Sequence, residues 1–289
     1  MQYVAVLITS YNRVQTTLEC LKHLSKATLP ENLTIEVYLV DDNSPDKTGE
    51  IVKLNYPQIN VIYGNGNLYW CGGMRLAWET AVSVKNYDFY ILLNDDTNIF
   101  TNGLDMLFND YNNLNNSNIT PFIVMGACCG INTGIVSYSG KRDLTEIDHI
   151  IPSGVPQKCL FICGNLVLIP NKAYLLAGGL SDKLIHRFGD YEYSYRLNRL
   201  GGTSWVSSYF CAECLNETLK CYNSNFSFIT RLKVLYSPTG LSLNDYIYFI
   251  KTCSKIDWTA FVADLLKKHI LCLLPTTYNY IKSRITKIR

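Results

Sequence analysis

Through the first hundred residues, short apolar runs alternate with stretches of helical period. YVAVLI, IEVYLV, INVIYG and YDFYILL read as buried strands, separated by TTLECLKHLSKA, TGEIVKLNY and GMRLAWETAVSVK, which read as helices. Strands alternating with helices predict a parallel sheet covered by helices on both faces. In such sheets ligands collect beyond the carboxyl ends of the strands. Polar clusters stand at all four ends: TSYNR at 9–13, DDNSPD at 41–46, GNGN at 64–67 and NDDT at 94–97.

The middle of the chain is less regular. YNNLNNSNIT reads as a polar surface loop or a helix end, and KRDLTEIDHIIPSGVPQK has the Pro, Gly and charge content of a loop. CLFICGNLVLIP predicts another buried strand. GDYEYSYRLNRLGG predicts a helix with acids in its first turn and paired glycines at its stop. From Leu241 onward the pattern is helical, and no solenoid-length repeat is present.

Length and composition narrow the picture. With 289 residues and 48% hydrophobic content, the chain supports a substantial core, as one large domain or two modest ones. Its 26 basic and 24 acidic residues leave a net charge of +2, which gives no global case for a nucleic-acid partner. Eleven cysteines, odd in number and scattered, argue against a disulfide framework and for a reducing, cytoplasmic setting. The opening MQYVAVLITSYNR reads as strand one and not as a signal peptide, and no apolar run reaches spanning length.

Asp95 and Asp96, at the end of a buried run, suit a hard divalent cation such as Mg²⁺ or Mn²⁺, or else cap the following turn. Asp41 and Asp42 stand where an acid accepts hydrogen bonds from a base or ribose, with an Asx turn into Pro45 as the alternative. The glycines of GNGN permit close backbone approach, and Arg75 offers a fork to phosphate. A dinucleotide fingerprint would put Gly-x-Gly-x-x-Gly after strand one, where TSYNR stands, so a hydride-transfer enzyme is disfavoured.

Taken together, TSYNR, VDDNSPDKT, GNGNLYWCGGMRLAW, LLNDDT, CGNLVLIP, AGGL and FGDYEYSYRLNRLGG resemble the nucleotide-sugar glycosyltransferases of family 2, in order and spacing over roughly residues 3–215. The nearest branch is similar to the rhamnosyltransferase-like enzymes of bacterial surface-polysaccharide (O-antigen or capsule) assembly. The resemblance implies a GT-A fold: an α/β, Rossmann-like, mixed and mostly parallel sheet flanked by helices. Residues 1–215 would form it, with a nucleotide-binding half over 1–100 and an acceptor half over 101–215, and residues 216–289 would be a helical extension. It implies an inverting, metal-dependent transfer from a UDP- or dTDP-sugar to a glycan or lipid-linked glycan.

Position by position, the resemblance implies that Thr9, Tyr11 and Arg13 line the nucleotide pocket and that Asp41 binds the base, with Asp42 as the second candidate. Asn67 and Arg75 would lie near ribose or diphosphate. Asp96, with Asp95, would hold the metal at the Asp-x-Asp position, whose first acid is Asn94 here. Asp190 would be the general base, and Glu192 a second acid or an acceptor-orienting group; a plain acidic helix cap is the alternative for both. Relatives supply a metal-binding histidine after the next strand, but WVSSYFCAECLNE has none, which leaves Glu213, Cys214 or water for that role.

Three features stay open. Cys159/Cys163 and Cys211/Cys214 have the spacing of a zinc site or are buried hydrophobes. His186 contacts an acceptor or is a surface residue. In residues 276–289, Tyr278, Ile281, Ile285 and Ile288 form one face and Lys282, Arg284, Lys287 and Arg289 carry the charge. That segment lies peripherally on an anionic, cytoplasmic membrane face, or packs on the protein or on a homodimer partner. Competing functions are a sugar nucleotidyltransferase, which usually has a Gly-rich basic loop after strand one, and a non-catalytic sugar-nucleotide-binding scaffold.

Overall fold

The computed structural model describes residues 1–116, 121–144, 149–215, 220–253 and 258–276. Its strands are β1 (Gln2–Ser10), β2 (Leu33–Asp41), β3 (Asn60–Tyr63), β4 (Phe89–Leu93), β5 (Asn98–Ile99), β6 (Phe122–Cys129), β7 (Val136–Tyr138), β8 (Gln157–Cys159), β9 (Leu166–Pro170) and β10 (Thr203–Glu213). Its helices are α1 (Val14–Lys26), α2 (Thr48–Asn55), α3 (Tyr69–Val84), α4 (Gly103–Asn115), α5 (Asn171–Ala177), α6 (Gly189–Arg199), α7 (Phe228–Tyr236), α8 (Leu243–Cys253) and α9 (Trp258–Leu273).

The strands form one mixed sheet in the order β3-β2-β1-β4-β9-β6-β10-β5, with β7 beside β6 and β8 beside β10. β1, β2, β3, β4, β6 and β10 run in one direction, and β9 enters between β4 and β6 in the opposite one. The alternation of strand side chains accounts for the layers. Ala5 and Leu7 face one core with Met74, Ala77 and Trp78 of α3 and Tyr193 of α6. Val4, Val6 and Ile8 face the other, with Cys20, Leu21 and Leu24 of α1 and Leu104, Leu107 and Phe108 of α4. Register pairs Ser10 with Asp41 and Asp41 with Tyr63, so the ends of β1, β2 and β3 lie side by side.

The mixed α/β architecture expected from the sequence is therefore present, with differences of detail. CLFICGNLVLIP is divided between two strands: its first residue, Cys159, ends β8 and its last five form β9, with Cys163 buried between them and Gly164 and Asn165 outside the ladder. The polar stretch after Tyr111 stays helical to Asn115, and β8 begins inside the expected loop at Gln157. α6 stops at Gly201, whose φ of +93° only glycine adopts readily.

By internal contacts the chain divides into two compact units, Met1–Ile185 with Gly189–Asn216, and His186–Phe188 with Glu217–Arg289. In the second, Ser227 caps α7 by accepting from the Thr230 N–H. The fully buried Asp245 accepts from the His186 and Arg187 N–H groups at 3.0 and 3.2 Å. Phe188, at a φ of +66°, stacks on Phe249 with ring centroids 4.6 Å apart. Aromatic packing of this kind offsets the strain of a bulky residue in the left-handed region.

Candidate active site

The loops after β1, β2 and β4 are tied into one assembly by side chains that bridge them. Asp46 accepts from the Val14 N–H at the start of α1 (3.0 Å) and from Thr48 at the start of α2, and the Asn12 N–H donates to Ser44 Oγ at 2.9 Å. Asp46 has no marked place in a sequence reading beyond its turn, yet it caps two helices. Each helix N-terminus offers unpaired N–H groups to such an acid.

Asp41 and Asp42 are both buried, and each of their carboxylate oxygens accepts from at least one backbone N–H. Asp41 accepts from Ser44 and Gly49 N–H at 3.1 and 2.8 Å. Asp42 accepts from Gly66, Leu68 and Tyr69 N–H at 2.7, 2.8 and 3.1 Å, which fixes the GNGN loop and the entry to α3. In this structure both acids hold the loops that follow β2 and β3. Asn67 is exposed on the loop that Asp42 holds, and Tyr11 is 54% exposed on the neighbouring loop. Thr9 is buried under α3, close enough that only Gly73 fits above it. Arg75 donates to the Ser181 carbonyl at 2.6 Å.

Arg13 lies between the paired acids. Its Nη1 is 3.0 Å from Asp95 Oδ1 and 2.9 Å from Asp96 Oδ2. Burial works against the guanidinium charge, but the two carboxylates outweigh it and hold Arg13 firmly protonated. Burial pushes the Asp95 carboxyl up to about 6, with Arg13 pulling it down and Asp96 pushing it up. Asp95 Oδ2 is buried with no hydrogen-bond partner, whereas the Asp96 side chain keeps 24% of its surface exposed. An orphan carboxylate oxygen beside an accessible carboxylate is a donor set that fits a hard cation, which Asp95 and Asp96 would hold with other oxygen ligands such as water. Among the described residues no group of three His, Cys, Asp or Glu side chains is placed to hold a metal.

Of the two candidates at the end of β10, Glu213 is its last residue and Cys214, just beyond it, has its thiol 3.6 Å from Asp96 Oδ1. Burial pushes that thiol up to about 12, so it stands there as a neutral hydrogen-bond donor. Cys159, Cys163 and Cys211 are buried and free, as small hydrophobes are.

Asp190 opens α6 and is joined to this assembly through residues that sequence reasoning passed over. Its Oδ2 accepts from the Gly164 N–H at 2.8 Å and its Oδ1 from the Tyr191 N–H at 2.9 Å. The next residue, Asn165, accepts from the Asn94 N–H through its carbonyl at 3.0 Å and reaches Thr97 Oγ1 and Cys214 Sγ through Nδ2. Trp70 Nε1 donates to Asn94 Oδ1 at 2.7 Å. A Cβ at Gly164 would lie 2.4 Å from the Trp70 ring and 3.4 Å from Asp190 Cβ, so the glycine makes room for this contact. Glu192, by contrast, is 2% exposed and gives both oxygens to Arg196 Nε and Nη2, at 2.8 and 3.0 Å. Arg196 in turn holds the carbonyls of Ala177 and Gly179. The structure brings Asp190 toward the Asp95–Asp96 turn and ties Glu192 to the AGGL corner.

Residues 5–138, a little under half of the chain, match the family model of glycosyl transferase family 2. The matched segment runs from β1 to β7 and holds both acid pairs, Arg13 and the GNGN loop. No curated protein matches the chain. Solved structures share its fold. TarS of S. aureus, residues 1–349 in complex with UDP-GlcNAc, superposes with a TM-score of 0.54 at 13% identity, over 93% of this chain and 72% of that one. A longer TarS structure gives 0.53 at 16% identity over 88% of this chain, which spans only 44% of that one. The mannosyltransferase PcManGT from Pyrobaculum calidifontis, in complex with GDP-Man and Mn²⁺, gives 0.52 at 12% identity, over 96% of this chain and 86% of that one. These neighbours are GT-A glycosyltransferases, and the family 2 segment sits in a fold of that type.

Proposed function

We propose that the chain is an inverting, metal-dependent glycosyltransferase that moves a sugar from a nucleoside diphosphate, UDP or dTDP, to a glycan or lipid-linked glycan of bacterial surface-polysaccharide assembly, at the cytoplasmic side. One observation carries this reading. The Gly164–Asn165 strap connects Asp190, through hydrogen bonds, to the turn bearing Asp95 and Asp96. It makes one assembly of an acid suited to the acceptor and a pair suited to the donor. The complexes of TarS with UDP-GlcNAc and of PcManGT with GDP-Man support a nucleoside diphosphate sugar as the donor class.

In this reading Asp96, backed by Asp95, holds the divalent cation, which when bound offsets charge developing on the leaving diphosphate. Arg13 keeps the acid pair compensated and orients Asp96. The loops fixed by Asp41, Asp42 and Asp46 receive the nucleoside, with Thr9, Tyr11 and Asn67 along them. Asp190, its carboxylate aimed by the Gly164 and Tyr191 N–H groups, takes the proton from the acceptor hydroxyl as it attacks the anomeric carbon from the face opposite the diphosphate. A screen of nucleoside diphosphate sugars for Mn²⁺- or Mg²⁺-dependent diphosphate release, repeated with Asp96→Ala, tests the proposal. Release with one donor, lost in the folded variant, supports it; unchanged release in the variant overturns the assignment of Asp96.

A further inference from the structure

The second compact unit carries a helix that is apolar on two sides. On one side of α9, Phe261 and Cys272 are buried, Phe261 stacks on Tyr246 with centroids 5.3 Å apart, and the Cys272 carbonyl accepts from Arg231. On the other, Val262, Leu266, Ile270 and Leu273 follow one another at spacings of four, four and three residues, and each is 47–58% exposed; Leu274 continues the face at 48%. The spacing places them on one stripe. The acid of α9, Asp264, pairs with Lys268 and Tyr246 and stands away from that stripe, while Lys267 borders it.

Charge distinguishes the occupants such a stripe accepts. Residues 186–188 and 217–289 hold twelve of the 26 Lys and Arg and only four of the 24 Asp and Glu, a net charge of +8. The remainder of the chain is therefore at −6, the difference from the total of +2. A twofold contact between two copies would bring two +8 units together, which like charges oppose. An anionic lipid surface answers both the apolar stripe and the charge. The 16 residues of α9 span about 24 Å, short of the roughly 30 Å of a bilayer core. Among the described residues no helix is long and apolar enough to cross a membrane.

We propose that the outward face of α9, formed by Val262, Leu266, Ile270 and Leu273, with Leu274 just past its end and Lys267 at its border, docks in the interface of a membrane containing anionic lipid. The helix lies along the surface, its stripe among the acyl chains and the basic residues of its unit among the headgroups. Four of those twelve cations, and no acid, lie in sequence in residues 277–289, outside the described structure. Docking of this face is independent of transferase activity, and vesicle binding reports it without turnover.

Co-sedimentation of the full chain with phosphatidylcholine vesicles, with and without phosphatidylglycerol, at low and high salt, tests this. Binding is expected to require the anionic lipid and to weaken with salt. The double substitution Leu266→Glu/Ile270→Glu is expected to lower partitioning at least ~10-fold, as loss of two inserted aliphatic side chains demands. Leu266→Ser/Ile270→Ser, milder toward folding, should lower it in the same direction with an unchanged circular dichroism spectrum. Failure of the unaltered protein to sediment with anionic vesicles at low salt overturns the proposal. So does wild-type binding by both variants. A dimer in sedimentation velocity that these substitutions dissociate, with no vesicle binding, assigns the face to a second copy instead.

Discussion

The indole Nε1 of Trp70 donates to Asn94 Oδ1 at 2.7 Å, joining the first turn of α3 to the residue that begins the Asn-Asp-Asp turn. This contact gives a reason for an amide at the position where the resemblance to family 2 implies an acid. A neutral acceptor meets a neutral donor, and no third charge is added beside Asp95 and Asp96. Tyr69, with a φ of +52°, turns the chain so that Trp70 enters the space left by Gly164. Trp70→Phe should therefore cost about 1–3 kcal/mol, the penalty for stranding a part-buried acceptor. It should also slow transfer ~10–10²-fold by loosening the acid turn. Denaturant unfolding and turnover with a fixed donor measure the two effects. A fully active Trp70→Phe protein would show that the indole contributes packing alone.

The contact between α3 and β1 leaves no room for a methyl group. A Cβ at Gly73 would lie 2.0 Å from Thr9 Oγ1 and 2.7 Å from Thr9 Cβ, and Thr9 is a buried member of the strand. Gly73→Ala should destabilise by about 1–3 kcal/mol, as overpacking does. Thermal unfolding should shift by roughly 2–4 °C for each kcal/mol. Adding Thr9→Ala removes the closest contact and should restore part of the loss. An additive double variant would contradict this account of the close approach.

The layers of the fold were readable because burial on both faces leaves a simple mark. Val4, Val6 and Ile8 face one core and Ala5 and Leu7 the other, so the whole run is apolar. The polar strand ends were readable for the same reason, since a side chain that ends such a run must meet water or a partner. What local pattern could not disclose was pairing over distance. Arg13 reaches Asp95 across 82 positions, and Asn165 meets Thr97 and Cys214 across 68 and 49; such contacts have no period. The Glu192–Arg196 pair is different. Its spacing of four residues on a helix is a local signal that opposite charges meet, and it was legible in YEYSYR beside the catalytic reading.

A pH effect on stability should arise from His149. Burial lowers its pKa below the ordinary value, the Ser139 backbone contact pulls it back up, and Lys141 lowers it further. Its Nδ1 lies 2.7 Å from the Ser139 carbonyl. A histidine whose folded pKa is depressed binds its proton more readily when unfolded, so its contribution is intact above the unfolded value of roughly 6.5 and is lost as pH falls toward the folded value. His149→Asn should flatten the fall in thermal stability between neutral pH and about pH 5. An unchanged slope would place that titration in other groups.

The two acids of α6 should fail in different ways. Asp190 is oriented by the Gly164 and Tyr191 N–H groups, in the assembly that includes the Asp95–Asp96 turn. Asp190→Asn keeps the size and the acceptor oxygen but removes the base. Donor and cation affinity should persist while transfer falls ~10²–10⁴-fold and loses its acidic limb in a pH profile. Glu192 has both oxygens on Arg196, whose side chain is 26% exposed. Glu192→Gln should cost about 1–3 kcal/mol in stability, less than the 3–5 of a fully buried broken pair because water still reaches the arginine. Its residual transfer should keep the wild-type pH profile, since a loosened AGGL corner changes how much enzyme is folded and leaves the proton acceptor in place. The opposite result, with Glu192→Gln erasing the acidic limb and Asp190→Asn merely lowering stability, would exchange the two roles. Retention of full transfer by both variants would reduce the start of α6 to a helix cap and move the base elsewhere.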